Sequence, residues 1–175
     1  TWVEGKPIQA FAAEETAKEI SSRFAYAVAG VDYDRGSYAP IIDLDIIPAG
    51  VTEVAVGNGK SVTAFTQIHG TGTSVGFRAG DFAYSTDVSD LDDAAWNALD
   101  GVKVWMLDAT REEPHPSHAH LARTLEWIER LGPDRAILTH MNHTMDYERL
   151  LQNLPKGVEP AFDGMVVDMN EAKPA

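Results

Sequence analysis

The sequence has 175 residues, of which 44% are hydrophobic and 23% charged, a composition typical of one soluble globular domain. Lys and Arg number 14 against 27 Asp and Glu, and the net charge of −13 disfavours binding to nucleic acid or an anionic membrane. No apolar run approaches the ~20 residues that span a bilayer. The absence of cysteine excludes disulfides, thiolate zinc sites and cysteine nucleophiles, and it is compatible with the cytoplasm, where we expect the protein to reside.

The first half of the chain predicts mostly strands. Residues 7–12 predict a short strand, and residues 14–28 predict a helix because apolar side chains recur near helical spacing. A loop rich in Gly, Asp and Tyr follows through Pro40. Further strands are predicted over 41–47, 51–56, 61–68, 73–78 and 81–85. Asn58-Gly59 predicts a hairpin turn, because a type I′ turn needs positive φ at both central residues.

The second half predicts alternating strands and helices. Helices are predicted over 92–99, 117–131 and 145–151, and strands over 102–107 and 135–138. A pair of short strands is predicted over 158–169, broken at Asp163-Gly164. Hairpins followed by this alternation indicate mixed sheets covered by helices, and the fold class is therefore α/β (α+β).

Polar residues that can bind metals follow the ends of four predicted strands. His69, Asp87, Asp108 and His140 occupy these positions, and ligands of α/β sheets bind at the carboxyl ends of strands. Imidazole and carboxylate groups are ligands that suit Zn²⁺ and Mn²⁺. Each residue alone has an ordinary explanation: a turn residue, an Asx turn or a cap. For Asp108 we favour a cap of the following loop, and the ordinary explanation of residues 115–120 is a solvated loop in which Ser117 caps the next helix.

Several segments together resemble metallo-β-lactamase-fold phosphodiesterases, and within them phosphoribosyl 1,2-cyclic phosphate phosphodiesterase. The similarity is specific in order and spacing from about residue 60 to 169 and looser before it. The segments that carry it are residues 67–70, 84–87, 106–108, 116–118, 139–143, 146–147, 154–158 and 162–165, with 6–9 and 23–26 as weaker matches.

The resemblance implies an αββα sandwich and two divalent metal ions, Zn or Mn. His69 is then a ligand of one metal ion, His140 of the other, and Asp87 of both. The His-x-His-x-Asp-His motif of the family is absent from this sequence. We therefore expect residues 1–175 to be a single domain, the C-terminal two-thirds of such a fold without its N-terminal strands, and inactive alone.

The resemblance also implies the reaction, which is hydrolysis of a small, cyclic phosphodiester through a metal-bridged hydroxide. In it His118 protonates the leaving oxygen or binds the phosphate, and His143 is a candidate substrate contact. His115 and His120 are weaker candidates. We expect a small-molecule phosphodiester as the binding partner and expect neither nucleic acid nor a membrane to bind. Whether the protein forms a homodimer stays open.

Two alternatives stay open from the sequence. Other hydrolases of this fold act on RNA, lactones or thioesters, since function lies in the site and loops rather than in the fold. A degenerate, non-catalytic binding module is the alternative from another class. Side chains that point apart in the structure would argue against any metal site.

Overall fold

A computed structural model describes residues 6–33 and 36–168 of the chain. The described residues form two compact units, which divide between Ala49 and Gly50. The sequence-based expectation of one domain stays a prediction. No helix among the described residues is both long and apolar enough to cross a bilayer.

The first unit contains a parallel pair of strands and two short helices. Strand β1 pairs in parallel with β4, with Ile8 opposite Ile42. The predicted helix over 14–28 is wrong in one respect, because Phe24 leaves helical geometry with ψ of 38° and divides it in two. The predicted loop contains a small antiparallel hairpin of β2 and β3. The elements of this unit are β1 (Ile8–Ala13), α1 (Glu14–Arg23), α2 (Ala25–Val28), β2 (Val31–Tyr33), β3 (Gly36–Tyr38) and β4 (Ile42–Ile47).

The second unit is built on a seven-stranded mixed sheet with the order β11-β10-β9-β8-β7-β6-β5. Strands β5 to β8 form antiparallel pairs along the chain, and β8 to β11 are parallel neighbours. The strands are β5 (Val51–Gly57), β6 (Lys60–His69), β7 (Gly72–Ala79), β8 (Phe82–Ser85), β9 (Val104–Asp108), β10 (Arg135–Thr139) and β11 (Val158–Pro160). The predicted hairpin at Asn58-Gly59 is confirmed, with φ of 52° and 69° at the two residues.

Three helices accompany this sheet: α3 (Asp93–Leu99), α4 (Leu121–Leu131) and α5 (Tyr147–Asn153). Asp92 and Asp146 cap α3 and α5, each accepting a hydrogen bond from a backbone N–H in the first turn. The helix predicted over 117–131 is wrong at its start, because α4 begins four residues later, after His120, and Ser117 therefore does not cap it. Helix α4 ends at Gly132 in the left-handed conformation that favours glycine.

The C-terminal pair of predicted strands is only half present. Strand β11 covers Val158–Pro160, and residues 161–168 contain no strand. Met169, the last residue of the predicted pair, lies outside the described residues. The N–H of Ala161 makes the last bond to β10, and the turn at Asp163-Gly164, closed by a bond from Met165 to Phe162, then interrupts the chain.

The core of the second unit lies between its sheet and helices. Trp105 of β9 is fully buried, and Trp96 of α3 packs against it and against Trp127 of α4, each with ring centroids 6.2 Å apart. Burial of such a side chain contributes about 1.5–3 kcal/mol or more. The strand ends that carry the polar residues are therefore held on a rigid support.

Candidate metal centre

Four parallel strands bring their carboxyl ends to one edge of the sheet. Strands β8, β9 and β10 pair in parallel, and β6 has the same direction because the antiparallel β7 separates it from β8. His69 is the last residue of β6 and Asp108 of β9, and His140 follows β10 directly. Asp87 comes two residues after β8 ends. The predicted strand ends are thus confirmed as one shared edge.

The structure brings His69, Asp87 and His140 together at this edge. Oδ1 of Asp87 lies 3.6 Å from Nε2 of His140. His69, Asp87 and His118 each offer a ligand atom within 4.8 Å of the others, and so do Asp108, His118 and His140. Asp87 and His140 keep about two-fifths of their side-chain surface exposed, so a small ligand can reach them.

Asp87 and His140 both have strained backbones. Among the residues that the structure describes, three other than glycine have positive φ: Asn58 at 52°, Asp87 at 54° and His140 at 58°. Asn58 lies in a hairpin turn that requires this conformation. The left-handed conformation costs an L-residue roughly 1–2 kcal/mol, and such strain concentrates at functional sites. Two of the three residues are therefore the expected ligands themselves.

His69 is oriented by the loop that follows β9. Its Nδ1 lies 2.7 Å from the carbonyl oxygen of Ser117, which can only accept a hydrogen bond. Nδ1 therefore carries the proton and Nε2 keeps its lone pair for a ligand. Gly70 permits this close approach, because it has φ of 61° and a Cβ there would lie 2.9 Å from that of Ser117.

His118 lies at the centre of the cluster, above a buried carboxylate. Its Nδ1 is 3.0 Å from Oδ2 of Asp108 and 3.9 Å from Oδ1 of Asp87. Its ring is stacked on that of His140 at 4.9 Å and meets that of His69 edge-on at 4.7 Å. The ring of His118 is therefore held on three sides by other members of the cluster.

Asp108 is fully buried and its carboxylate takes part in three hydrogen bonds. It accepts one from the backbone N–H of Val88 and one from the hydroxyl of Thr110, in addition to pairing with His118. The expected cap of the following loop is wrong, because the backbone N–H that donates to Asp108 is that of Val88 on another segment. The sequence-based interpretation also missed the contact with His118. The only signal in the sequence was the position of Asp108 at the end of a strand.

Two further histidines of the 115–143 segment, His115 and His143, have less central positions. His115 packs on His118 at 4.8 Å, and burial lowers the pKa of His115 below its ordinary value, with Arg111 and His118 lowering it further. His143 is exposed and belongs to neither group of candidate ligands. Its expected contact with a substrate stays a prediction.

Several known proteins are similar to this chain in sequence or in structure. Residues 2–141 match the family model described as "Beta-lactamase superfamily domain". A diphosphatase of the PhnP family is 27% identical, with a TM-score of 0.79 over 93% of this chain and 58% of that protein. Zn²⁺-bound PqqB from Methylobacterium extorquens is 17% identical with a TM-score of 0.67, over 94% of this chain and 66% of that protein, and shares the fold.

One curated relative also matches part of the sequence. An octanoyltransferase from Porphyromonas gingivalis (strain ATCC BAA-308 / W83) is 24% identical over 106 residues, which are 59% of this chain and 22% of that protein. The chain thus spans less than a quarter of this relative and about three-fifths of the diphosphatase.

Proposed function

We propose that this chain, which belongs to the family described as "Beta-lactamase superfamily domain", acts as a metal-dependent hydrolase of a small phosphodiester. The fold is a mixed α/β fold with sheets flanked by helices, and proteins of this fold include hydrolases. The observation that carries the proposal is the meeting of His69, Asp87 and His140 at one edge of the sheet, beside His118.

The donor set fits divalent cations of the Zn²⁺ or Mn²⁺ type. Imidazole nitrogen and carboxylate oxygen are the ligands such ions take, and the described residues offer both within one cluster. His69 and His140 would each ligate one ion, and Asp87 would be shared by two. When bound, these ions polarise phosphoryl oxygens and lower the pKa of water to about 7.

His118 is proposed to bind the phosphate or to protonate the leaving oxygen. A carboxylate can only accept, so Nδ1 of His118 donates to Asp108, and Nε2 is the nitrogen left for the substrate. The fully buried carboxylate of Asp108 thereby fixes the orientation of the His118 ring. The pair resembles other active sites in which a buried carboxylate orients a histidine.

The substrate is proposed to be small and cyclic rather than a long RNA. The likeness to a diphosphatase of the PhnP family supports chemistry at phosphorus. The net charge of −13 repels a polyanion, whereas one phosphodiester group carries a single charge that bound cations offset. His143 is proposed to contact the part of the substrate beyond the phosphate. The homodimer and the cytoplasmic location stay predictions.

The test is hydrolysis by protein expressed from its complete gene, stripped of metal with a chelator and then supplied with Zn²⁺ or Mn²⁺. We expect release of a phosphomonoester from a five-membered cyclic phosphodiester, and much slower cleavage of single-stranded RNA. A His69→Ala variant should lose this activity, whereas His120→Ala, outside both ligand groups, should keep it. Cation binding without any phosphodiester hydrolysis would favour another hydrolase of the fold, and no cation binding would favour a non-catalytic module.

A further inference from the structure

The backbone of Asp87 lies beyond the support of the sheet ladder. Strand β8 ends at Ser85, whose last partner on β9 is Leu107. The carbonyl groups of Thr86 and Asp87 therefore follow the last ladder pair of β8, at the point where the chain turns into the left-handed conformation of Asp87. A strained conformation persists only when the surrounding structure determines it.

Two side chains from the neighbouring strands hold these two carbonyl groups. Gln67 of β6 and Ser74 of β7 lie opposite each other in the sheet. The amide Nε2 of Gln67 donates to the carbonyl oxygen of Thr86 and to Oγ of Ser74, both at 3.1 Å. The hydroxyl of Ser74 then donates to the carbonyl oxygen of Asp87 at 2.7 Å.

The environment of Gln67 is adapted to this arrangement. Gln67 is fully buried, and its Oε1 has no hydrogen-bond partner among the described residues. Rotating the amide would place Oε1 against the carbonyl oxygen of Thr86, which cannot donate. A buried amide that leaves one acceptor unpaired is costly, and its retention calls for an explanation. Holding the Thr86–Asp87 backbone supplies one.

Gly76 of β7 provides the space that this amide needs. A Cβ at Gly76 would lie 2.6 Å from Oε1 of Gln67 and would also overlap the ring of Phe65. The glycine has no positive φ, so conformational freedom does not explain it. Its absence of a side chain is what lets Gln67 reach across to Thr86.

We propose that Gln67 and Ser74 are positioning residues that hold the backbone of Asp87 so that its carboxylate faces the histidines. The inference rests on the proposed function, in which Asp87 is the shared metal ligand. Oδ1 of Asp87 lies 3.6 Å from His140 and 3.9 Å from His118, and a change in the backbone at Asp87 would alter both distances. Outer groups that orient a ligand typically contribute 10–100-fold to metal affinity.

The test compares three variants of the protein expressed from its complete gene. Ser74→Ala removes the hydroxyl, Ser74→Thr restores it on a side chain that strands favour, and Thr63→Ala is the matched control. Thr63 lies on β6 and its hydroxyl donates to the exposed Glu53, about 20 Å along the strand from His69. Zn²⁺ affinity is measured by calorimetry on metal-free protein, and the backbone chemical shifts of Asp87 and Val88 are measured by NMR without metal.

We expect Ser74→Ala to bind Zn²⁺ about 10–100-fold more weakly, with shifts moved at Asp87 and Val88. Ser74→Thr should recover most of the affinity, and Thr63→Ala should match the native protein. Native affinity in Ser74→Ala, an equal loss in Thr63→Ala, or a loss without any shift at Asp87 would each overturn the proposal. If the native protein binds no Zn²⁺, the proposed function fails, and the metal-free shifts of Ser74→Ala still decide whether Ser74 positions Asp87.

Discussion

The carboxylate of Asp108 lies beneath the ring of His118, with Oδ2 3.0 Å from Nδ1 and no solvent exposure of its own. The same carboxylate accepts from the N–H of Val88, the residue after Asp87. Asp108 therefore links the side chain of His118 to the backbone that directly follows Asp87. A buried charge in such a position is held by all its hydrogen bonds together.

Asp108→Asn tests what the charge contributes. The amide can donate to Thr110 while its oxygen still accepts from Val88 and His118, so the geometry is preserved and only the charge is lost. We expect the rate of phosphodiester hydrolysis to fall about 10–100-fold and the free energy of unfolding to change little. Asp81→Asn, at an exposed pair with Lys103, is the control and should change stability by less than about 1 kcal/mol. Native rates in Asp108→Asn would show that the charge of Asp108 contributes nothing to the reaction and would leave only its orienting contact with His118.

His118→Ala separates proton transfer from metal binding. His118 belongs to both groups of candidate ligands, so its loss is informative either way. We expect metal content near native and a rate lower by about 10²–10⁴-fold for a diester with a poor leaving group. The penalty should shrink for bis(p-nitrophenyl) phosphate, whose leaving group needs no proton. Metal analysis decides the assignment, because loss of metal in His118→Ala but not in His120→Ala would make His118 a ligand.

Gly76→Ala tests the space required by Gln67. The added Cβ would meet Gln67 and Phe65, so we expect the free energy of unfolding to fall by about 1–3 kcal/mol in urea titrations. Gly72→Ala on the same strand is the matched control, because its Cβ would meet only the carbonyl oxygen of His69 at 3.8 Å. Equal stabilities of the two variants would show that the neighbours of Gly76 move aside freely.

The strained backbone of His140 predicts an unusual order of stability. Because φ at His140 is 58°, we expect His140→Gly to be more stable than His140→Ala by about 0.5–1 kcal/mol, although both lose the imidazole. At Ser61, which lies on β6 and has no positive φ, the order should be reversed, since glycine weakens a strand. Thermal unfolding of the four variants checks this prediction. Alanine more stable than glycine at position 140 would mean that the residue is not strained.

The sequence was sufficient to predict the strand ends and the convergence of His69, Asp87 and His140 there, whereas their role as metal ligands stays a prediction. His69, Asp87 and His140 could be placed together because parallel strands end at one edge, a rule that needs only the element order. The hairpin at Asn58-Gly59 was predictable for a similar reason, since its turn chemistry is local. Local patterns and general rules of sheet topology therefore predict where the cluster lies.

The contacts within the cluster could not be predicted in this way. The approach of His118 to Asp108 depends on the path of the loop between β9 and α4, which is set by hydrogen bonds such as that from the N–H of Ala119 to the carbonyl of Val88. Helix α4 begins after this loop rather than at Ser117, because the carbonyl of Ser117 accepts from His69 and the N–H of Ala119 donates to Val88 instead of continuing a helix. The left-handed conformation of Asp87 also arises from distant partners on β6 and β7.

Zn²⁺ binding by Asp87→Asn is the measurement that tests the central claim most directly. Asparagine tolerates the left-handed conformation, so the variant removes the charge of the proposed shared ligand and leaves the backbone in place. Calorimetric titration of metal-free protein expressed from its complete gene should show affinity lower by more than about 100-fold than that of the native protein, with hydrolysis of bis(p-nitrophenyl) phosphate lost in parallel. Unchanged affinity and unchanged metal content in Asp87→Asn would contradict the account, because Asp87 could then not be the ligand around which the site is built.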